Sequence, residues 1–450
     1  MKKTQRKALS EKYRRLRIKI NKAGVRIFIV LLGAGFAVGL CFPLRPEHSD
    51  IEKRDLASFP GLTASGLWDG SWFSDVGTWY SDTYPLRETL ISGASKIEGL
   101  YGFQGEQIVS GNAQTADEVP DTQEDAVVTP APVATDTPEP TPELEDGTIH
   151  QEPEMAGDVY IAGDTAFELY YFSQAGADAY ASMINTVHSR LGDDVKVYDL
   201  LAPTSFGVCL DEKIQEQMGA SSQKDAFQYI YSRLDSAVKR VDVFDELVRH
   251  NAEYIYFRTD HHWTQLGAYY AYRVFAEQKG VKPHELSEFQ QRSYPDFLGS
   301  FYAYSNQAEA LAANPDTLET YIPMGTNDAQ IQPAEGEAYE WFVVSDVSDY
   351  ASGTKYSSYI GGDNPFTVIS NPKIQDGSSC VVIKESYGNA FVPWLVDHYQ
   401  NVYVVDYRYY TDNLTQFVKD HQVDDVIFVN NASALTESRA STMLALFPES

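Results

Sequence analysis

From residue 157 onward the chain alternates short apolar runs with longer stretches whose apolar residues recur at helical spacing. Val159–Ala162, Val195–Ala202, Tyr254–Phe257, Cys380–Ile383, Val402–Asp406 and Val426–Val429 read as strands. Helices are expected over Ala175–Leu191, about Ala226–Val238, Thr264–Lys279, Asn389–His398, Leu414–His421 and Leu435–Leu446, with Gly280 as a C-cap. Near-continuous apolar strands separated by helices predict an α/β fold, a parallel sheet covered by helices on both faces. In such sheets ligands meet the loops just past the carboxyl ends of the strands.

The N-terminal part follows a different pattern. Residues 1–26 hold eleven Lys or Arg and one acid, Glu11, and Ile27–Leu44 then run for 18 residues without a charge. At about 1.5 Å per residue the run spans roughly 27 Å, close to the ~30 Å apolar layer of a bilayer. The basic flank puts the N-terminus in the cytoplasm and everything after the run outside the cell membrane. So long a basic segment, with no small-x-small cleavage site, favours a retained single-pass transmembrane helix over a signal peptide. Cys41 follows Leu40 rather than a small residue, which argues against lipid attachment. Residues 45–112, with Trp68, Trp72, Trp79 and a helical stretch near Leu86–Leu100, are expected to form a small juxtamembrane unit. Residues 113–156 carry seven prolines, twelve acids and no Lys or Arg, the composition of an extended acidic linker. Residues 157–450 are the expected main domain.

The net charge of −29 changes the picture of possible partners. Beyond residue 26 there are 24 bases against 63 acids, a body that repels phosphate backbones, so nucleic acid is not an expected ligand. Three cysteines exclude a disulfide scaffold and a Cys-rich metal cluster; Cys209 and Cys380 can be a pair or two buried thiols.

Two expected strand ends carry candidate chemistry. Tyr254–Phe257 is followed by Arg258-Thr259-Asp260-His261-His262-Trp263-Thr264, and Cys380–Ile383 by Lys384-Glu385-Ser386-Tyr387-Gly388-Asn389. In extended chain Asp260 and His262 share a face, so the carboxylate can orient the imidazole. Ser386 at a strand-to-helix turn is placed where backbone N–H groups can stabilise an oxyanion. Together these are a nucleophile, a base and an orienting acid, the minimum for acyl transfer. Spacing alone leaves Asp260 open as a helix cap and Ser386 as a turn residue. Asp260, His261 and His262 lack the HExxH or CxxC spacing of a metal site.

The segment TDHHWT at Thr259–Thr264 resembles the signature of the bacterial DHHW family, which is similar to the SGNH-hydrolase-like alginate O-acetyltransferases of the cell envelope. RPEHSDIEKRDLASFP (Arg45–Pro60), WYSDTYPLRE (Trp79–Glu88), FLGSFYA (Phe297–Ala303), GGDNP (Gly361–Pro365), KESYGNAFVPWL (Lys384–Leu395) and VVDYRYY (Val404–Tyr410) resemble further family blocks in family order. The resemblance implies an SGNH-hydrolase-like (flavodoxin-like) sheet with Ser386 as nucleophile, His262 as general base and Asp260 as its partner. Tyr387 and Arg408 are candidates for the oxyanion or substrate site, His261 for support, and Trp263 for packing. Asp363 and Asn364 are accounted for by a turn, and Glu385 stands where relatives often have Asp. The implied activity is O-acetyl transfer to a cell-surface polysaccharide without metal or diffusible cofactor. A membrane-bound O-acyltransferase would be the acyl-relay partner. A carbohydrate esterase with the same three residues, or a non-catalytic polysaccharide-binding envelope protein, are the alternatives.

Overall fold

The computed structural model describes residues 159–449 without a break, together with 154–156, 148–149, 116–120 and short stretches between 45 and 85. The expected membrane span Ile27–Leu44, the helical stretch near Leu86–Leu100 and most of the acidic linker lie outside the described residues. No helix among the described residues is long and apolar enough to cross a membrane.

The chain divides into two units, Met1–Gln104 and Gly105–Ser450. In the first, His48–Ser49 pairs antiparallel with Arg54–Asp55. The Arg45 guanidinium lies 3.8 Å from the Trp79 ring centre and donates to Thr83 Oγ1 at 2.5 Å.

The second unit is built on an eight-stranded sheet. Its main elements are β1 (Val159–Ala162), β2 (Thr165–Phe167), α1 (Gln174–Leu191), β3 (Lys196–Ala202), α2 (Gln223–Arg233), β4 (Lys239–Arg240), α3 (Gln265–Lys279), β5 (Gln290–Phe297) and β6 (Asp316–Ile322). They continue with β7 (Asp328–Gln332), β8 (Tyr339–Phe342), β9 (Phe366–Ser370), β10 (Ser379–Lys384), α4 (Tyr387–Phe391), β11 (Asn401–Asp406), α5 (Leu414–Asp420), β12 (Asp425–Asn431) and α6 (Glu437–Ala445). The sheet order is β8-β7-β9-β11-β10-β12-β3-β4. The five strands from β11 to β4 are parallel, as the alternating pattern predicts. Successive residues of β10 feed opposite cores: Cys380 and Val382 pack with α3, Val381 and Ile383 with α1 and α2. Burial on both faces is why these strands read as unbroken apolar runs.

Several features depart from the sequence expectation. The helix expected over Asn389–His398 is α-helical only over Tyr387–Phe391 and continues as a 3-10 turn over Val392–Leu395. Val159–Ala162 pairs antiparallel in a separate small sheet. The main sheet is mixed, because β9, β7 and β8 extend it as an antiparallel arm. Only alternate residues of β7 are buried and β8 is largely exposed, so neither presents a continuous apolar run. Tyr254–Phe257 is not a sheet strand. Tyr256 instead bridges back to Trp263, and Thr264 N–H donates to the Ile255 carbonyl at 2.9 Å. The four apolar residues are explained by burial in the core, where Phe257 packs edge-on against Phe297. Finally, α2 stops at Arg233 rather than near Val238. Asn185 of α1 takes over its end, donating to the Arg233 carbonyl and accepting from Asp235 N–H.

The ends of the acidic linker are not free. Asp117 N–H donates to the Phe172 carbonyl, and Ile149 bridges to Leu210. Cys209 and Cys380 are free thiols, so of the two expectations for them the unpaired one describes this structure.

Candidate active site

Ser386 follows β10 by two residues and opens α4, with neighbours β11 and β12 on either side of β10. This is the edge where open α/β sheets place their ligands. The turn is fixed by Glu385, which is buried: its Oε2 accepts from Tyr387 N–H at 3.1 Å and its Oε1 from Asn431 N–H at 3.1 Å. One carboxyl thereby ties the end of β10 to the end of β12. Burial pushes the Glu385 carboxyl up, against the pull of Arg408 and of those two N–H groups. Gly388 sits so close to the sheet that a Cβ there would lie 2.5 Å from Lys384 Cβ.

The histidine loop is anchored from the other side. Asp316 of β6 accepts from Arg258 N–H (3.0 Å), Thr259 N–H (2.7 Å) and Thr259 Oγ1 (2.6 Å), and also from Tyr254 OH. Thr264 caps α3 through Gly267 N–H, so the loop runs directly into a helix. Asp260 and His262 come together by a tight turn, not by the extended spacing expected. Asp260 Oδ1 accepts from His262 N–H at 3.1 Å and from Nδ1 at 2.6 Å, while Oδ2 accepts from Ser300 N–H at 2.8 Å. Burial raises the Asp260 carboxyl, but the adjacent His262 charge and hydrogen bond, with smaller help from His261 and Ser300, outweigh it. The net result is an acid held well below the usual carboxylate range.

The two loops meet. His262 Nε2 lies 2.8 Å from Ser386 Oγ across 124 positions of sequence. With Nδ1 donating to Asp260, Nε2 is the acceptor for the serine proton. Asp260 and His262 are buried, whereas the serine is half-exposed among buried neighbours. Trp263 Nε1 donates to the Tyr387 carbonyl at 2.9 Å and Tyr387 OH to the His261 carbonyl, two further ties between the loops.

Tyr387 is thus fully buried with its hydroxyl engaged by the histidine loop. Arg408 makes a two-point contact with Asp406 (2.8 and 2.6 Å) and a 2.9 Å contact with Asp363. His261 hydrogen-bonds through Nδ1 to Ser300 Oγ at 2.5 Å. The donor atoms of Asp260, His261 and His262 lie within 4.8 Å of one another. A cation there would have to break the contact of His262 with Asp260 or Ser386, since those contacts occupy both of its ring nitrogens.

A protein-family model described as DHHW protein matches residues 52–131 and 126–405. The chain belongs to the DHHW family. A DHHW family protein from Eubacterium siraeum has a similar structure, with 30% identity over 65% of this chain and 96% of that one at a TM-score of 0.59. Bacillus cereus PatB1 shares the fold at 21% identity, covering 62% of this chain and 97% of that one with a TM-score of 0.53. The same protein with a sulfonyl adduct gives 18%, 64% and 97%, with a TM-score of 0.54. No curated protein matches the chain.

The DHHW tetrapeptide therefore labels the loop that carries Asp260 and His262. The sequence did not assign roles to the residues holding that loop. Gly299 and Ser300 lie in FLGSFYA, and Tyr356 lies in no recognised block. A Cβ on Gly299 would stand 2.2 Å from both Cβ and Oδ2 of Asp260. Gly299→Ala is accordingly expected to dislodge the carboxylate. The measurement is the downfield proton resonance of the His262 Nδ1–H bond to Asp260, which should be lost while the fold's circular dichroism is kept. Asp363, expected only as a turn residue, accepts from Asn389 Nδ2 at 2.9 Å and pairs with Lys384 and Arg408. Asn364 does close the turn, donating to the carbonyls of Ile360 and Gly361.

Proposed function

We propose that this DHHW protein is a membrane-anchored extracellular O-acyltransferase that acetylates a cell-surface polysaccharide through an acyl-enzyme on Ser386. The reading rests on one observation, the unbroken contact chain from Ser386 Oγ through His262 to Asp260, at 2.8 and 2.6 Å. These lengths are what proton transfer from a serine hydroxyl to an imidazole needs.

In the first step His262 Nε2 takes the Ser386 proton as Oγ bonds to the acyl carbonyl carbon. The imidazolium, stabilised by the ionised Asp260, returns the proton to the departing group as its bond to carbon breaks. In the second step a sugar hydroxyl gives its proton to His262 and attacks the same carbon. The bond to Ser386 Oγ then breaks and the serine is reprotonated. Tyr387 braces the serine turn and Arg408 is the proposed substrate contact at the rim; the Tyr387 and Gly388 N–H groups at the start of α4 already donate to Glu385. Acetyl-CoA is not available outside the membrane. The acyl group would come from a membrane-bound O-acyltransferase, and the run Ile27–Leu44 would hold the enzyme beside it.

Incubating the purified chain with p-nitrophenyl acetate and measuring intact mass tests the reading. A single acetyl group on the Ser386 peptide, transferred to added oligosaccharide, is the expected result. Release of free acetate alone, with oligosaccharide present, would make the protein an esterase. No acetyl on Ser386 would end the acyl-enzyme reading.

A further inference from the structure

Tyr356 lies in none of the short motif blocks that mark the family in the sequence, yet it touches both reacting residues. Its ring lies flat on His262, with centroids 3.9 Å apart and planes within 9°. Its hydroxyl donates to the carbonyl of Ser386 at 3.1 Å. Only 7% of it is exposed.

We propose that Tyr356 is a positioning residue that fixes the His262 ring against the Ser386 turn; the proposal rests on the acyl-transfer reading. Nδ1 and Nε2 point along the ring plane of an imidazole, so a partner on the ring face restricts tilt without competing for either nitrogen. Asp260 secures only the Nδ1 edge. Tyr356 limits rotation of the plane about that edge and so keeps Nε2 aimed at Oγ. Because the same side chain bonds to the serine's own carbonyl, a displacement of the base relative to the nucleophile must disturb one of its two contacts.

The segment around it is built to hold still. Ser352 Oγ donates to the Asp296 carbonyl at 2.5 Å, Lys355 Nζ to the Pro295 carbonyl, and Ser358 Oγ to the Ser345 carbonyl at 2.6 Å. Four residues on, Ile360 has φ +48°, rare for a β-branched residue, followed by Gly361 at +70° and Gly362 at +86°. Such a conformation persists where the surroundings over-determine it. It delivers Asp363 to Lys384 and Asn389, beneath the serine turn. One segment thus reaches the base at one end and the support of the nucleophile at the other.

The test compares Tyr356→Leu and Tyr356→Phe in the full chain, with p-nitrophenyl acetate turnover and phenylmethylsulfonyl fluoride labelling of Ser386 as readouts. Tyr356→Leu is expected to lower kcat about a hundredfold, the scale of a misaligned reacting pair, with KM changed by less than about twofold. Tyr356→Phe keeps the stack and loses one neutral hydrogen bond, so kcat should recover to within about fivefold of wild type. A kcat for Tyr356→Leu close to wild type, or Tyr356→Phe as impaired as Tyr356→Leu, overturns the proposal. If Tyr356→Leu does not fold, Tyr356→Met, which also removes the flat ring, decides: a fall in kcat at unchanged KM supports the proposal and a kcat close to wild type overturns it. A wild-type chain that neither turns over the ester nor takes the label would instead bring down the acyl-transfer reading, and this inference with it.

Discussion

Ser386→Ala is expected to reduce p-nitrophenyl acetate turnover by about four orders of magnitude, and His262→Ala by nearly as much. Without Oγ no covalent intermediate forms, and without Nε2 the hydroxyl keeps its proton and attacks as a poor nucleophile. The two side chains act as a unit, so the double variant should be little worse than either single one, leaving about 10³-fold over water from the remainder of the site. Ser386→Ala should not disturb the fold, whereas His262→Ala also leaves the buried Asp260 without its partner. Ser386 is partly exposed, and its loss removes only its contacts with His262 and Glu385. The deciding measurement is kcat/KM for all three variants at matched purity, beside their thermal unfolding curves. Turnover by Ser386→Ala within about tenfold of wild type would show that the measured esterase activity does not pass through this serine.

The parallel half of the fold was legible because its strands are buried on both faces. Cys380–Ile383 and Val426–Val429 are continuous apolar runs set between helical stretches, and each forms a central strand. The antiparallel arm was not, because DAQIQ of β7 buries only Ala329 and Ile331 and YEWF of β8 lies at an edge. Tyr254–Phe257 failed for the opposite reason: a buried loop and a buried strand share the same apolar signal. The pairing of Asp260, His262 and Ser386 was read from motif blocks, and the contact itself spans 124 positions. Local spacing gives no handle on such a distance. It also misread how Asp260 reaches His262, since a turn that lets one carboxyl oxygen accept both the backbone and ring N–H replaces the extended geometry. Ser300 and Tyr356 escaped altogether, because serines and tyrosines are common and only tertiary packing shows which of them face the loop.

Asp406→Ala carries the largest expected cost in stability. Lys384 is the residue two before Ser386, and its ammonium is fully buried, 2.9 Å from the equally buried Asp406 and 3.4 Å from Asp363. Asp406 also takes two contacts from the Arg408 guanidinium and accepts from its backbone N–H. Two acids and two bases here compensate one another in a region that water reaches only at the Asp363 and Arg408 end. Removing Asp406 leaves the Lys384 charge with one longer contact, and breaking a buried pair from one side costs about 3–5 kcal/mol. The urea midpoint should fall accordingly. Exchanging both partners, Lys384→Met with Asp406→Leu, should regain much of the loss, since no uncompensated charge then stays inside. Acid should reveal the same cluster. Burial raises the Asp363 carboxyl, but Lys384 and Arg408 outweigh it and hold the group well below its ordinary range. A folded-state value below the unfolded one means stabilisation that is complete above the unfolded value and fades as pH drops through the folded one. In the double exchange Lys384 no longer holds Asp363 down, so acid unfolding should begin at higher pH than in wild type. An acid transition that stays in place would mean that Arg408 alone governs Asp363, and that Lys384 serves the pair with Asp406 only.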